Sequence, residues 1–432
     1  MSIQLPSTPL NRLRRLPWRL TSAAVVAAFA LAPAGAQVNA GTPPMDSLCP
    51  PGALVDAAFR DAAVLTMRQL VVRAPNLPSH GAVRRALAPA HIDAQKRAWH
   101  HIAVYEGNLG LIGALRVDPS LRTEAADWLR WQVRHLPLRG LDQGVLYDRW
   151  VLADGSQETM CPPDIDASHC NQIDATDSTI ASFFLMAKAY LDNGGDAALL
   201  REPAVRLALE RAAATLVKLQ QANGLSWAKR SHPVAYLMDT VEVAAGWRAL
   251  ADLQDRVWTQ PQAAQTSRDR ARRASSGVEQ QLWDAGAGLW RVSLDAASPQ
   301  TTRWYPDTMA QAWPLLWSTS SQPASYSASR SAWPRAAAQW RTNDNAWQTR
   351  NVDPAGFWWP AAAVAAHCVG DTAAAMDWVA RARAAWLKPQ APFAWPFQVS
   401  DLLWLLWLAE PGPPQAPLPV PVSTLPASRS GG

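Results

Sequence analysis

Residues 173–191 read IDATDSTIASFFLMAKAYL. Ile180, Phe183, Phe184, Ala187 and Leu191 recur at i, i+3, i+4, i+7 and i+11, which is the spacing of one helical face and not the alternation of a strand. The positions between them are small or apolar as well, and Lys188 is the only charge after the first turn. A helix that is apolar nearly all round has no face for water and must be covered on every side. Two acids, Asp174 and Asp177, stand at its start.

The same theme returns along the chain between about Val55 and Glu410. Comparable apolar segments begin near Glu106 (YEGNLGLIGALR), Asp239 (DTVEVAAGWRALADL), Pro306 (PDTMAQAWPLLW), Pro360 (PAAAVAAHCV) and Ser400 (SDLLWLLWLAE), so there are six in all. Between them lie amphipathic stretches rich in Ala and Arg: Leu121 to His135, Glu202 to Gln221, Asp269 to Leu282, Ser329 to Arg341 and Thr372 to Trp386. An early helix around Val55 to Val72 supplies a sixth partner. An inner ring of six wrapped by an outer ring of six buries both kinds of helix in one core. Strand signals are confined to connections. Val145 to Leu152 before an Asp154-Gly155 turn, and Gly288 to Leu294, predict short β-hairpins in loops.

Composition agrees with a large folded unit. The chain has 432 residues, 49% apolar and 17% charged, which argues against disorder. Tryptophan is in excess, 23 against 7 Phe and 6 Tyr, which suits thick helix-on-helix packing or a surface that stacks on flat ligand faces.

The first 36 residues predict a secretory signal. Arg12, Arg14, Arg15 and Arg19 form a basic region, Thr21 to Ala32 an apolar stretch too short to span a bilayer, and Ala34-Gly35-Ala36 an A-x-A cleavage site. Arg14-Arg15 is a twin arginine, but Leu16-Pro17-Trp18 continues it poorly as a Tat signal. Cleavage after Ala36 removes four arginines and no acid, lowering the formal charge from +5 to +1. The basic balance therefore gives no reason to expect nucleic acid as a partner. No later stretch suits a membrane span, and no Cys follows the cleavage site to take a lipid, so a periplasmic or secreted protein without a stable membrane anchor is expected. In that compartment the four cysteines are candidate disulfide partners. Cys161 and Cys170 bracket a loop and form the natural local pair, leaving Cys49 to meet Cys368; free buried thiols are the competing reading. Metal binding lacks a C-x-x-C or a His/Cys cluster. Residues 411–432, PGPPQAPLPVPVSTLPASRSGG, read as a Pro-rich disordered tail, leaving 37–410 for the helical domain.

These features resemble the six-hairpin glycosidase superfamily. The likeness is carried by the six helical hairpins, by Ile173-Asp174-Ala175-Thr176-Asp177-Ser178, by Leu237-Met238-Asp239-Thr240-Val241-Glu242, and by Trp304-Tyr305-Pro306-Asp307. The resemblance implies an all-α (α/α)6 toroid with a saccharide cleft where the inner helices start, lined by carboxylates and aromatic platforms. It also implies glycosidic-bond hydrolysis, with polysaccharide lyases among related toroids, and an oligosaccharide or polysaccharide as partner.

Glycoside hydrolysis uses two carboxyl groups, one protonated and one ionised, and requires no metal or organic cofactor. Asp239 and Glu242, at i and i+3, share one face of an otherwise apolar helix, where a cleft would explain two acids; the plain alternative is a cap and an Arg partner. Asp177 precedes the second inner helix, where an acid also caps and complements the dipole, and the resemblance points to it as general acid or base. Glu106 precedes Gly107-Asn108, which would let backbone approach a ligand, or is an ordinary first-turn acid. For stacking on sugar, the loop-adjacent set is Trp150, Trp227, Trp304, Tyr305, Trp358, Trp359 and Trp395, with Asp307 beside it. Trp247, Trp313 and Trp404 lie inside helices and read as core; most of Asp142, Asp148, Asp154, Asp164 and Asp166 read as solvated turn residues, in the stretch best placed to hang over the cleft. Arg149 and Arg303 neighbour the aromatic set and suit an anionic sugar.

Three other readings compete. A lyase would need a base such as His232 or a Tyr, and a non-catalytic glycan-binding protein would use the carboxylates only to position sugar. A terpene-cyclase-like toroid lacks its D-D-x-x-D run. Esterase, P-loop, Rossmann and zincin motifs are absent.

Overall fold

The computed structural model describes residues 49–317 and 323–410; the segment assigned to a signal (1–36) and the Pro-rich tail (411–432) lie outside them. The elements run α1 (Ala57–Leu70), β1 (His91–Ile92), β2 (Ala98–Ile102), α2 (Val104–Val117), α3 (Arg122–His135), β3 (Arg149–Leu152) and β4 (Glu158–Thr159). They continue with α4 (Thr176–Asp192), α5 (Ala197–Arg201), α6 (Pro203–Leu219), α7 (Leu237–Arg256), α8 (Pro261–Leu282), β5 (Trp283–Asp284) and β6 (Leu289–Trp290). The last are α9 (Trp313–Leu316), α10 (Pro323–Ala337), α11 (Pro360–Cys368), α12 (Thr372–Trp386) and α13 (Asp401–Trp407).

Six helices close a ring. α2 packs on α4, α4 on α7, α7 on α9, α9 on α11, α11 on α13, and α13 returns to α2. The others lie outside it: α1 on α2 and α13, α3 and α6 on α4, α8 on α7, α10 on α9 and α11, and α12 on α11. Outer and inner helices alternate along the chain, so the architecture is an all-α (α/α)6 toroid of six helical hairpins. Burial follows the sequence pattern. Fourteen of the seventeen residues of α4 are buried, against eight of the twenty-two of α8, whose outer face carries the arginines. The inner helices approach closely where glycine permits it: a Cβ on Gly113 of α2 would lie 2.5 Å from the Leu403 Cα of α13. Tryptophan fills the space between the rings. The twelve largest fully buried side chains are all Trp, so much of the Trp excess serves packing.

Several boundaries differ from the sequence expectation. α12 has the expected limits, whereas α8 starts earlier, at Pro261 in the first turn, with Ala264 and Ser267 buried. α10 starts and ends earlier than expected, at Pro323 and Ala337. The expected helix from Pro306 is broken. Tyr305, before the expected start, is extended (φ −113°, ψ 136°); a wide turn ends at Thr308, Met309 and Ala310 are helical, and after a turn at 311–312 α9 starts at Trp313. The β3–β4 and β5–β6 hairpins match the predicted loops. The sequence reading missed β1 and β2, which complete a four-stranded antiparallel sheet ordered β1-β2-β3-β4, with Trp99 opposite Leu152 and Ile102 opposite Arg149. Adjacent Trp99 and His100 are both buried, which erases the alternation that marks a strand.

Cys49 pairs with Cys368 on α11 and Cys161 with Cys170, with Cα–Cα distances of 4.9 and 4.6 Å. No helix among the described residues is long and apolar enough to cross a membrane.

Candidate active site

Three carboxyl groups converge where α4 and α7 begin. Asp177 lies in the first turn of α4, Asp239 in the first turn of α7, and Glu242 one turn further, on the face it shares with Asp239. Asp177 and Glu242 are buried, while Asp239 is half-buried. Glu242 Oε1 accepts two hydrogen bonds, from the Tyr105 hydroxyl at 2.6 Å and from Trp313 Nε1 at 2.7 Å. Asp177 Oδ1 accepts from Ser178 N at 2.9 Å, and its Oδ2 has no hydrogen-bond partner among the described residues.

Burial and like charge govern this trio. Burial pushes the Glu242 carboxyl up to about 8, with the charge of Asp239 adding to it and the Tyr105 hydrogen bond opposing. Burial raises Asp177 to about 7, and Glu242 adds to the rise. Burial, then the charges of Asp177 and Asp174, hold Asp239 protonated well above the usual carboxylate range. Carboxyl groups this close cannot all ionise together, so the cluster retains protons at neutral pH.

Glu106 is set up differently. It lies in the first turn of α2, and Arg85 grips it with both ends of the guanidinium, Nε to Oε2 at 3.0 Å and Nη2 to Oε1 at 2.8 Å. Arg85 also donates to Gln398 Oε1 at 2.9 and 2.5 Å. Burial raises the Glu106 carboxyl, and Arg85 pulls it back toward the ionised form. Asp148 sits close behind, accepting from Val104 N at 3.0 Å with His101 Nε2 at 3.5 Å, and burial pushes it up to about 7. The exposed Asp174 faces both groups: its charge raises Tyr105, Glu106, Asp148, Asp239 and Tyr305.

An aromatic wall leads away from Glu242. Trp313 meets Trp359 edge to face at 6.2 Å, and Trp359 stacks on Tyr305 with centroids 4.9 Å apart and planes at 15°. Phe357 bridges Trp359 at 6.2 Å and Trp395 at 5.6 Å. Asp353 Oδ2 fixes Trp359 by accepting from its Nε1 at 2.7 Å. Tyr305 is 45% and Trp395 58% exposed, so two faces of this wall are open.

The sequence-nominated residues thus divide. Asp177, Asp239 and Glu242 come together, with Glu106 beside them through Tyr105; Tyr305, Trp359 and Trp395 form the wall. Others are corrected to packing roles. Trp304 is buried against Trp333 and Trp340, and Trp358 against Trp378 and Trp386. Trp150 is buried beside His101 and donates to His169 O at 3.3 Å. Trp227 is partly buried against the core. Asp307 is buried and clasped by Arg303 at 2.8 and 3.0 Å, and Arg149 is paired with Glu158, so each arginine already has a carboxylate partner. Gly107 does not admit a ligand: its Cβ position lies 2.8 Å from the Trp128 ring, and Asn108 bonds Trp128, Gln132 and Ser182. His232 is exposed and bonded to the Tyr236 hydroxyl at 2.9 Å.

Sequence reasoning missed Tyr105, Arg85, Gln398 and the placement of Asp148, and it took Trp313 for core alone. No sequence signal singled out Trp313, since other buried tryptophans, Trp247, Trp290 and Trp304 among them, leave their indole N–H without a partner among the described residues.

Fold and mouth together define an (α/α)6 toroid with a carboxyl cluster beside an aromatic wall. No family model matches the chain. No curated protein matches it. Among solved structures it is similar to a rhamnosidase from Klebsiella oxytoca with rhamnose bound, at 15% identity and TM-score 0.45, over 83% of this chain. The chain spans 65% of the length of that rhamnosidase. It is also similar to a GH63 mannosylglycerate hydrolase from Thermus thermophilus in complex with glucose, at 14% identity and TM-score 0.45, over 81% of this chain and 99% of the other. The ring closure from α2 through α13 stands independently of these likenesses.

Proposed function

We propose that the chain is an exported glycoside hydrolase that cleaves an oligo- or polysaccharide, with Asp239 as proton donor and Glu106 as the ionised partner. The observation that carries this reading is the accessibility of Asp239: it is half-buried at the mouth, while Asp177 and Glu242 behind it are buried. A glycosidic oxygen leaves easily only when protonated, so the donor must hold its proton at working pH. Burial and the neighbouring carboxyls provide that for Asp239. Glu106, raised by burial and pulled back by Arg85, is the member with a cation beside it, suited when ionised to activating water or attacking the sugar carbon. Asp177 and Glu242 keep the proton at the mouth, and Tyr105 couples the two halves because it adjoins Glu106 and bonds Glu242.

Tyr305, Trp359 and Trp395 suit the C–H faces of sugar rings. Two disulfides and the signal-like segment support export, and the catalytic unit falls within residues 37–410. The test is a panel of bacterial and plant polysaccharides with reducing-end detection. The wild type is expected to release reducing ends, with Asp239→Asn and Glu106→Gln each slower by about 10²–10⁴-fold. Absorbance growing at 235 nm would indicate elimination and a lyase instead. Binding without turnover across the whole panel would indicate a glycan-binding protein.

A further inference from the structure

A groove of about 550 Å³ lies outside the carboxyl mouth, between the loops at 141–147, 171–173 and 229–231 and the end of α6. Its volume falls within the range of about 300–1,000 Å³ common to small-ligand sites. It adjoins the mouth through one turn of chain: Thr176 lines the groove, and the next residue is Asp177. Lys229 forms part of the partition, donating from Nζ to the carbonyls of Ile173 at 3.0 Å and Asp174 at 3.2 Å.

The charged residues that line the groove are mainly cations. Lys218, Lys229 and Arg230 line it with a single acid, Asp142. Lys218 and Arg230 are exposed, and no carboxylate pairs with either among the described residues. The mouth differs: Asp177, Asp239 and Glu242 retain protons at neutral pH, and Glu106 and Asp148 lie beside Arg85. A carboxylated sugar would be held where the cations of the groove face solvent. Leu141, 85% exposed at the lip, offers an apolar contact for a ring face.

We propose that this groove is a second saccharide site, which holds a carboxylate-bearing sugar unit through Lys218 and Arg230. Its role as a substrate subsite rests on the hydrolase reading of the mouth; its affinity for the anionic sugar does not. The substrate class that follows is a polysaccharide that carries a uronate on a unit or branch next to the one held at the carboxyls.

The test is calorimetric titration of the full chain with a galacturonic acid trimer, with the methyl-esterified trimer and sodium sulfate as comparisons. The acid trimer is expected to bind, more weakly as salt rises. Lys218→Gln/Arg230→Gln is expected to weaken it at least tenfold with an unchanged melting temperature, and Asp239→Asn to leave it unaltered. Equal binding by the double variant, equal binding of the methyl ester, or no binding of the acid trimer overturns the inference. Complete displacement by an equal concentration of sulfate also overturns it, because the site would then be a small-anion site. If the wild type turns over no glycan yet binds the trimer as described, the hydrolase reading fails and the groove stands.

Discussion

The indole N–H of Trp313 donates to Glu242 Oε1 at 2.7 Å, from a helix two positions round the chain from the one that carries the acid. The Tyr105 hydroxyl reaches the same oxygen at 2.6 Å from α2, so three inner helices meet on one carboxyl atom. Both donors favour the ionised form of Glu242, and burial opposes them. Tyr105→Phe removes one donor and keeps the ring, whereas Trp313→Phe removes the other donor together with part of a buried indole. Each is expected to move the Glu242 titration above about 8; Tyr105→Phe should cost about 1 kcal/mol in denaturant unfolding, and Trp313→Phe more because of the space it empties. Carboxyl carbon NMR shifts against pH read the first effect; a downward move in either variant would contradict the arrangement.

Stability should fall as pH rises from about 6.5 to about 8. Glu242, Asp177 and Asp148 have folded values of about 8, 7 and 7, above their ordinary 4.5, 3.8 and 3.8, so in this window the unfolded chain has released protons that the folded chain retains. Their stabilisation is complete below the unfolded values and is lost as pH rises through the folded ones. His100 and His101, held down to about 4 and 3 mainly by burial, act the other way, but only below about 6.5. Melting temperature across pH 6–9 checks the sign. Asp177→Asn should flatten the decline and melt higher than the wild type above pH 7.

Arg85 is expected to set the acidic limb of any pH–rate profile. Its charge lowers the Glu106 carboxyl, so Arg85→Gln removes the pull and raises that carboxyl. The group that must be ionised then titrates at higher pH, and the acidic limb of kcat/KM moves upward. A profile unchanged in position, with only its height reduced, would assign Arg85 to folding alone.

The aromatic residues should separate into two classes by response. Trp395→Ala and Tyr305→Ala remove exposed rings and are expected to raise KM several-fold while the melting temperature stays within a few degrees. Trp304→Ala and Trp358→Ala empty packed space and should cost about 3–5 kcal/mol of stability. Measuring KM and unfolding free energy for all four decides it, and a destabilised Trp395→Ala with normal KM would remove that residue from the wall.

Much of the ring could be read in the chain. All-round apolarity at 173–191 and its five counterparts signals helices that must be enclosed, and α12 has the limits its pattern predicts. The wide turn before α9 was not legible, although the extended Tyr305 follows from its place before Pro306, which disfavours helical backbone there. Asp148 looked like any loop acid, and only its bond to Val104 N draws it behind Glu106. Adjacent Trp358 and Trp359 show the same limit: one faces Trp378 and Trp386 in the core and the other stacks on Tyr305.

Sequence alone determined which helices are inner and which are outer, and that acids stand at the inner starts, since periodicity and burial are properties of each segment. It also pointed to the cysteine pairs. Tertiary structure decided which acid meets solvent, which is gripped by Arg85, and which tryptophans are walls and which are filling. Those outcomes depend on neighbours many residues away. A carboxyl's charge state is set by the dielectric and charges that surround it, and no single segment carries that information.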